Sequence, residues 1–170
     1  MDLVKVRFNT FLEIQEIYLF CKTLNFYNAI DYQKKFPNLN TNWPGHRTED
    51  INSTHPIFFS FLKEKLVESS IPINKYKKIF AYCHLRLQGD NETDFIHADP
   101  CDTVLIYVSS TNYNSGTDFY DSKKNLVTSC KFIQNTMISF TEGMLHSSVN
   151  NHGHSIEDGR MTINIFMTNK

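Results

Sequence analysis

His97-Ala98-Asp99 sets an imidazole and a carboxylate two residues apart. In an extended segment, positions i and i+2 point to the same face, so both side chains can reach one metal ion. A second histidine would complete a set of two imidazoles and one carboxylate on one face of the metal. Such a set leaves three positions open, enough for a chelating cosubstrate and dioxygen on Fe(II). His146 is the candidate, because Met144 and Leu145 before it read as strand and Thr141-Glu142-Gly143 reads as the turn leading into it. An isolated His-x-Asp arises often by chance, so its partners have to carry the assignment.

Arg160 opens the last apolar segment as Gly159-Arg160-Met161-Thr162, where Arg160 and Thr162 share a face. A guanidinium fork binds a carboxylate bidentately, and a neighbouring hydroxyl adds a hydrogen bond. The pair therefore suits the far carboxylate of a dicarboxylic acid whose near end chelates the metal. Upstream, Tyr82, His84, Arg86 and Gln88 alternate with Ala81, Cys83, Leu85 and Leu87. His84 and Arg86 are candidates to bond a substrate or a metal-bound carboxylate; solvated polar positions of a sheet are the alternative. Trp43-Pro44-Gly45-His46-Arg47 lies in a long loop. There Trp43 and Arg47 either close over a substrate or anchor a surface loop.

These residues need elements to hold them together. With domains typically spanning about 100–200 residues, a chain of 170 is read as one domain, covering 1–170. Its first part, 1–77, reads as helix and loop. Phe11 to Lys35 carries apolar residues at helical spacing and is read as one helix. Phe36 to Thr54, with Pro37, Pro44, Gly45 and five Asn, reads as a long loop. Thr54 is expected to cap a helix that has Pro56 in its first turn and ends near Glu68, with Phe58, Phe61, Leu62 and Leu66 as an apolar stripe.

From 78 to 170 the pattern changes to short strands, expected at 78–88, 94–99, 103–108, 116–120, 126–133, 136–140, 145–149 and 160–168. Tyr113 and Asn114 read as an exposed turn. Helices first and strands after argue against alternating βαβ units. Eight strands suggest two packed sheets, a jelly roll whose strands each have two chemically different faces. The fold class is thus mainly β with N-terminal helices and a double-stranded β-helix, cupin-like core.

Composition removes other classes. Hydrophobic residues make up 41% and charged residues 21%, which excludes a disordered or coiled-coil chain. A net charge of −1 provides no bulk positive field, so nucleic acid is not an expected partner. The longest apolar run, Ile57 to Leu62, falls far short of the roughly 20 residues that span a bilayer, and Met1 to Arg7 has no signal-peptide character. Cys21, Cys83, Cys101 and Cys130 show no metal or disulfide spacing, which fits reduced thiols and a cytoplasmic location.

Five segments occur in a meaningful order: His97-Ala98-Asp99, Leu105-Ile106-Tyr107-Val108, Gly116-Thr117-Asp118-Phe119-Tyr120, Met144-Leu145-His146-Ser147 and Arg160-Met161-Thr162-Ile163-Asn164-Ile165-Phe166. In this order they resemble the Fe(II)- and 2-oxoglutarate-dependent dioxygenases, and in particular small prolyl-hydroxylase-like or uncharacterised bacterial and phage members. The resemblance covers roughly Tyr82 to Met167. It implies that His97, Asp99 and His146 bind Fe(II) and that Arg160, with Thr162, binds 2-oxoglutarate. Tyr107 matches the strand tyrosine that often contacts the cosubstrate, and Thr117 the small polar residue after a glycine pair.

The implied reaction couples oxidative decarboxylation of 2-oxoglutarate to succinate with hydroxylation of a C–H bond, using dioxygen and supported by ascorbate. Peptidyl proline and small metabolites are the implied substrates, and the Asp99 ligand argues against halogenation. Two departures stand out. Ser115-Gly116 replaces the Gly-Gly of many members, and an Asn- and His-rich loop brings His152 and His154 as alternative third ligands. Readings from other classes are a non-catalytic cupin-like metal-binding protein and a hydrolase with metal-activated water. The first leaves the Arg160 and Thr162 pair without a purpose, and the second gives Arg160 a role only if its substrate is itself a carboxylate.

Overall fold

All eight expected strands form, and each pairs antiparallel with its neighbours. A computed structural model describes residues 4–39, 41–93 and 95–170, without the side chains of residues 92 and 93. The strands are β1 (Val4–Arg7), β2 (Tyr27–Asn28), β3 (His46–Arg47), β4 (Lys78–Arg86), β5 (His97–Ala98), β6 (Asp102–Tyr107), β7 (Asn112–Tyr120), β8 (Leu126–Phe132), β9 (Met137–Phe140), β10 (Leu145–Val149) and β11 (Arg160–Thr168). They build a seven-stranded sheet in the order β1-β9-β6-β11-β4-β3-β2 and a four-stranded sheet in the order β5-β10-β7-β8. This is a jelly roll. Four helices, α1 (Ile14–Lys22), α2 (Ala29–Lys35), α3 (Ile51–Thr54) and α4 (Pro56–Glu68), precede β4.

The two faces of the larger sheet do different work. Val104 and Ile106 of β6, and Val108 just after it, point outward, joining Ala81 and Cys83 of β4 and Ile163 and Ile165 of β11 under Ile17 and Cys21 of α1 and Leu62 and Leu66 of α4. Leu105 and Tyr107 point inward and pack with Phe119, Phe132, Ile138 and Phe140 between the sheets. β6 is apolar on both faces because helices cover one and a sheet covers the other. The inner layer stops halfway along the sheet. Beyond it, β4 and β11 present His84, Arg86, Arg160 and Thr162 to the interior.

Several sequence expectations need correction. The expected helix from Phe11 to Lys35 is two helices, α1 and α2, separated by β2. Asn28 causes the restart: its Oδ1 accepts from the Asp31 backbone N–H at 2.9 Å, capping α2. The apolar spacing runs through this break, which is why periodicity alone missed it. Thr54 does not cap α4. It ends α3, donating its hydroxyl to Asp50 O at 3.0 Å, while Asp50 caps that short helix and Pro56 opens α4 as expected. The long loop therefore contains β3 and α3, and β1 adds an edge strand next to β9.

The strand expected at 78–88 ends at Arg86, where Leu87 N–H donates to Asp90 Oδ2 at 2.7 Å and a 3₁₀ helix follows over Gln88–Thr93. The strand expected at 94–99 is reduced to His97–Ala98; Asp94 and the N-terminal Met1 to Leu3 lie outside the described residues. Tyr113 and Asn114 are exposed but belong to β7 rather than to a turn. The four cysteines are buried and free. Among the described residues no helix is long and apolar enough to cross a membrane.

At Gly116 β7 lies too close to β8 for a side chain, since a Cβ there would lie 2.3 Å from Cys130 O. Replacing it with alanine forces the strands apart next to the Arg160 side chain. Gly116→Ala is expected to cost about 1–3 kcal/mol in denaturant unfolding, the usual range for overpacking. A variant as stable as the parent would show that the strands separate freely there.

Candidate active site

Antiparallel register places His97 of β5 directly opposite His146 of β10. Directly opposed residues send their side chains to one face, and the two ring centroids lie 4.4 Å apart. Asp99, two residues after His97, turns to the same side and holds Oδ2 3.6 Å from His146 Nε2. Ligand atoms of these three side chains all lie within 4.8 Å of one another, and they form the one such group of potential metal ligands among the described residues.

Backbone carbonyls orient both rings. His97 Nδ1 lies 3.1 Å from Phe95 O, and His146 Nδ1 lies 2.9 Å from Met144 O. Donating Nδ1–H to a carbonyl places the lone pair on Nε2, as a metal-binding imidazole requires. Asp99 Oδ2 accepts from Thr103 Oγ1 at 3.0 Å, which fixes the carboxylate. Phe140 and Phe119 flank His146 at ring distances of 4.8 and 6.1 Å. Two imidazoles and one carboxyl group, oriented and walled by rings, fit a divalent transition metal. His152 is elsewhere, its ring edge-on to Phe132 at 5.8 Å, and His154 sits in a turn closed by Asp158.

A second cluster forms around Arg160, which is 4% exposed. Its Nη2 donates to Gly116 O at 3.2 Å and to Thr117 Oγ1 at 3.1 Å. Tyr107 OH donates to the same Thr117 oxygen at 2.7 Å. Burial pushes the Tyr107 phenol up to about 12, against the lowering influence of Arg160, so it remains a neutral donor at physiological pH. Thr162 lies opposite Tyr107 on the neighbouring strand and donates to Asn164 Oδ1 at 2.7 Å.

Both clusters face one cavity of ≈ 520 Å³. Of the residues singled out from sequence, His97, Asp99, His146, Arg160, Thr162, Thr117, His84, Arg86, Trp43 and Arg47 line it. Tyr107 does not; it stands one layer behind, supporting Thr117. His84 reaches this wall because β4 pairs with β11 in the register Thr162↔His84 and Arg160↔Arg86. Burial, followed by the nearby Arg86, Arg47 and Arg160, pulls the His84 pKa well below its ordinary 6.5. The ring is therefore neutral. Trp43 and Arg47 do not form a loose surface loop: Arg47 is on β3, opposite His84.

Sequence reasoning missed Thr103 as the partner of Asp99, Tyr82 and Tyr32 as rings around Arg47, and Asn164 and Phe95 on the cavity wall. Tyr82 and Asn164 were within reach, because each continues a polar alternation already visible. Thr103 was not, since its contact depends on a chain reversal after Asp99.

No protein-family model matches the chain, and no curated protein matches it. Solved structures do. A prolyl-4-hydroxylase from Pseudomonas putida aligns over 99% of this chain and 93% of its own, at 8% identity and TM-score 0.60. A viral collagen prolyl hydroxylase from Paramecium bursaria Chlorella virus-1, in its 2-oxoglutarate complex, aligns over 98% and 96%, at 12% identity and TM-score 0.59. HygX from Streptomyces hygroscopicus, with nickel, 2-oxoglutarate and hygromycin B bound, aligns over 98% and 83%, at 12% identity and TM-score 0.60. At such low identity the likeness speaks to architecture, and on that ground the chain has the jelly-roll fold of the 2-oxoglutarate-dependent oxygenases.

Proposed function

We propose that residues 1–170 form a single dioxygenase domain that uses Fe(II) and 2-oxoglutarate to hydroxylate a C–H bond of a peptide or small-molecule substrate. One observation carries this reading: the His97, Asp99 and His146 group and the buried Arg160 guanidinium face the same cavity. Iron bound by the first three would supply the oxidative decarboxylation of 2-oxoglutarate to succinate and the coupled oxidation of substrate by dioxygen.

The chain's own residues do the positioning. His97 and His146, each with Nδ1 engaged by a backbone carbonyl, present Nε2 to the metal position. Thr103 holds the Asp99 carboxylate in place. Arg160, kept in plane by Gly116 O and Thr117, offers its fork to the far carboxylate of the cosubstrate, and Thr162 adds a hydroxyl beside it. Tyr107 holds Thr117 from behind. Phe119, Phe140 and Leu105 exclude water from the inner wall. Prolyl hydroxylases and HygX share the fold, which supports either peptidyl proline or a small metabolite as substrate. The buried thiols suit a reducing cytoplasm.

The metal set is tested by equilibrium binding of Mn(II) or anaerobic Fe(II): His97→Ala, Asp99→Ala and His146→Ala should each lose the stoichiometric site. If His146→Ala binds metal normally and His152→Ala or His154→Ala does not, the third ligand is misassigned.

Arg160→Ala should leave Mn(II) binding nearly intact. Its dissociation constant for 2-oxoglutarate should rise by roughly 30-fold or more, since truncating one partner of a buried charge pair costs on the order of 2–5 kcal/mol. Unchanged affinity would remove Arg160 from the cosubstrate site.

Activity is read as succinate released from 2-oxoglutarate with Fe(II), ascorbate and oxygen. The parent should release succinate slowly without substrate, and Asp99→Ala should not. Equal release would favour the non-catalytic, cupin-like metal-binding protein.

A further inference from the structure

The chain has four arginines, and three of them, Arg47, Arg86 and Arg160, line the cavity described above. Asp99 is the one carboxylate among its described lining residues. The proposed reaction gives roles to Arg160 and Asp99 but none to Arg47. Arg47 on β3 opposes His84 on β4, which opposes Thr162 on β11. With neighbouring strands about 4.8 Å apart, Arg47 stands roughly 10 Å along the sheet from the strand that carries Arg160. One carboxylate is too small to engage both.

Arg47 is built as a receptor. Its Cζ lies 3.4 Å from the Trp43 ring centroid, 4.5 Å from that of Tyr82 and 4.6 Å from that of Tyr32. Rings packed around a guanidinium hold it rigid and leave its N–H groups as the polar contact. The loop bearing Trp43 is itself fixed. Gly45, at φ +75°, packs so closely on β4 that a Cβ would lie 2.6 Å from Arg86 Cδ and 2.8 Å from Leu85 O. Three buried nitrogens in this corner, Arg47 Nε, Trp43 Nε1 and His84 Nε2, have no hydrogen-bond partner among the described residues. Burial pulls the Arg47 pKa down, and only tyrosines act against it. Tyr32 engages part of the guanidinium, but a buried Nε–H without an acceptor is costly until one arrives.

We propose that the substrate carries a carboxylate and that this group docks on Arg47, between Trp43 and His84, leaving the rest of the molecule to reach toward His97, Asp99 and His146. This rests on the reading of the cavity as an oxygenase site. The carboxylate can belong to a free small acid or to an acidic residue of a peptide; the recognition chemistry is the same.

Trp43 is the single tryptophan in the chain, so its fluorescence reports directly on Arg47. The titrants are N-acetyl amino acids against their C-terminal amides, and end-blocked tripeptides with central Glu against central Gln. They are added to the full chain with and without saturating Mn(II) and 2-oxoglutarate. In at least one of the two series the acids should change the fluorescence saturably, and about tenfold or more tighter than the matching amides, as a charge-assisted pair requires. The responding series identifies the source of the carboxylate. Arg47→Gln should lose the preference, and Arg47→Lys should weaken it.

Acid and amide binding alike, no response to any acid, or a preference that survives in Arg47→Gln would each overturn the proposal. So would competition by 2-oxoglutarate alone for the same response. The acid–amide comparison on the parent chain needs no variant, so a poorly folded Arg47→Gln does not blunt the test. Failure of 2-oxoglutarate and Mn(II) to bind, with the acid preference intact, would instead sink the oxygenase reading and leave the Arg47 site standing.

Discussion

The pairing of His97 with His146 across β5 and β10 is the contact on which the rest of the site depends. β5 is two residues long, too short to hold a geometry by itself. Its position comes from β10, and through β10 from β7 and β8. Asp99 follows immediately and is held by two further contacts, Thr103 on its carboxylate and the Gly143 N–H on its carbonyl at 3.0 Å. Three potential ligands thus converge although the histidines lie far apart in the chain. Cross-strand opposition supplies the closeness that sequence spacing cannot.

A second constraint follows from covering the larger sheet on both sides. Helices α1 and α4 seal its outer face with aliphatic side chains, so the strands on that face have no polar freedom. The inner face is divided. Its half near β6 and β9 packs against Phe119 and Phe132, and its half near β4 and β3 carries His84, Arg86, Arg160 and Arg47 around the cavity. Holding several cationic or ionisable groups in a partly dry space works against stability. His84 responds by staying neutral. Arg160 donates through Nη2 to Gly116 and Thr117, and Arg47 is screened by aromatic faces. These costs are the ordinary mark of a site maintained for binding.

The fold alone does not decide the reaction, because jelly rolls of this kind serve many chemistries. What separates this cavity from a generic sandwich interior is the combination of an N,N,O ligand group with a guanidinium anchored at the base of the same space.

Much of this was legible in the chain itself. Alternation of polar and apolar residues along β4 and β11 located those strands and told their faces apart, since a strand's two-residue period is a local property. The resemblance carried by five ordered segments implied a shared site for His97, Asp99, His146, Arg160, Thr117 and Tyr107; all but Tyr107 line one cavity. Local capping was harder to read: Asn28 restarts a helix and Asp50 displaces Thr54, because competing hydrogen-bond partners lie within the same few residues. What only the tertiary structure decided is which distant groups meet. The Tyr82 ring on Arg47 and the seating of Trp43 through Gly45 against Leu85 and Arg86 depend on register between strands far apart in sequence, and Thr103 reaches Asp99 only through the chain reversal between them. Register is set by the packing of two whole sheets, and no short stretch of residues encodes it.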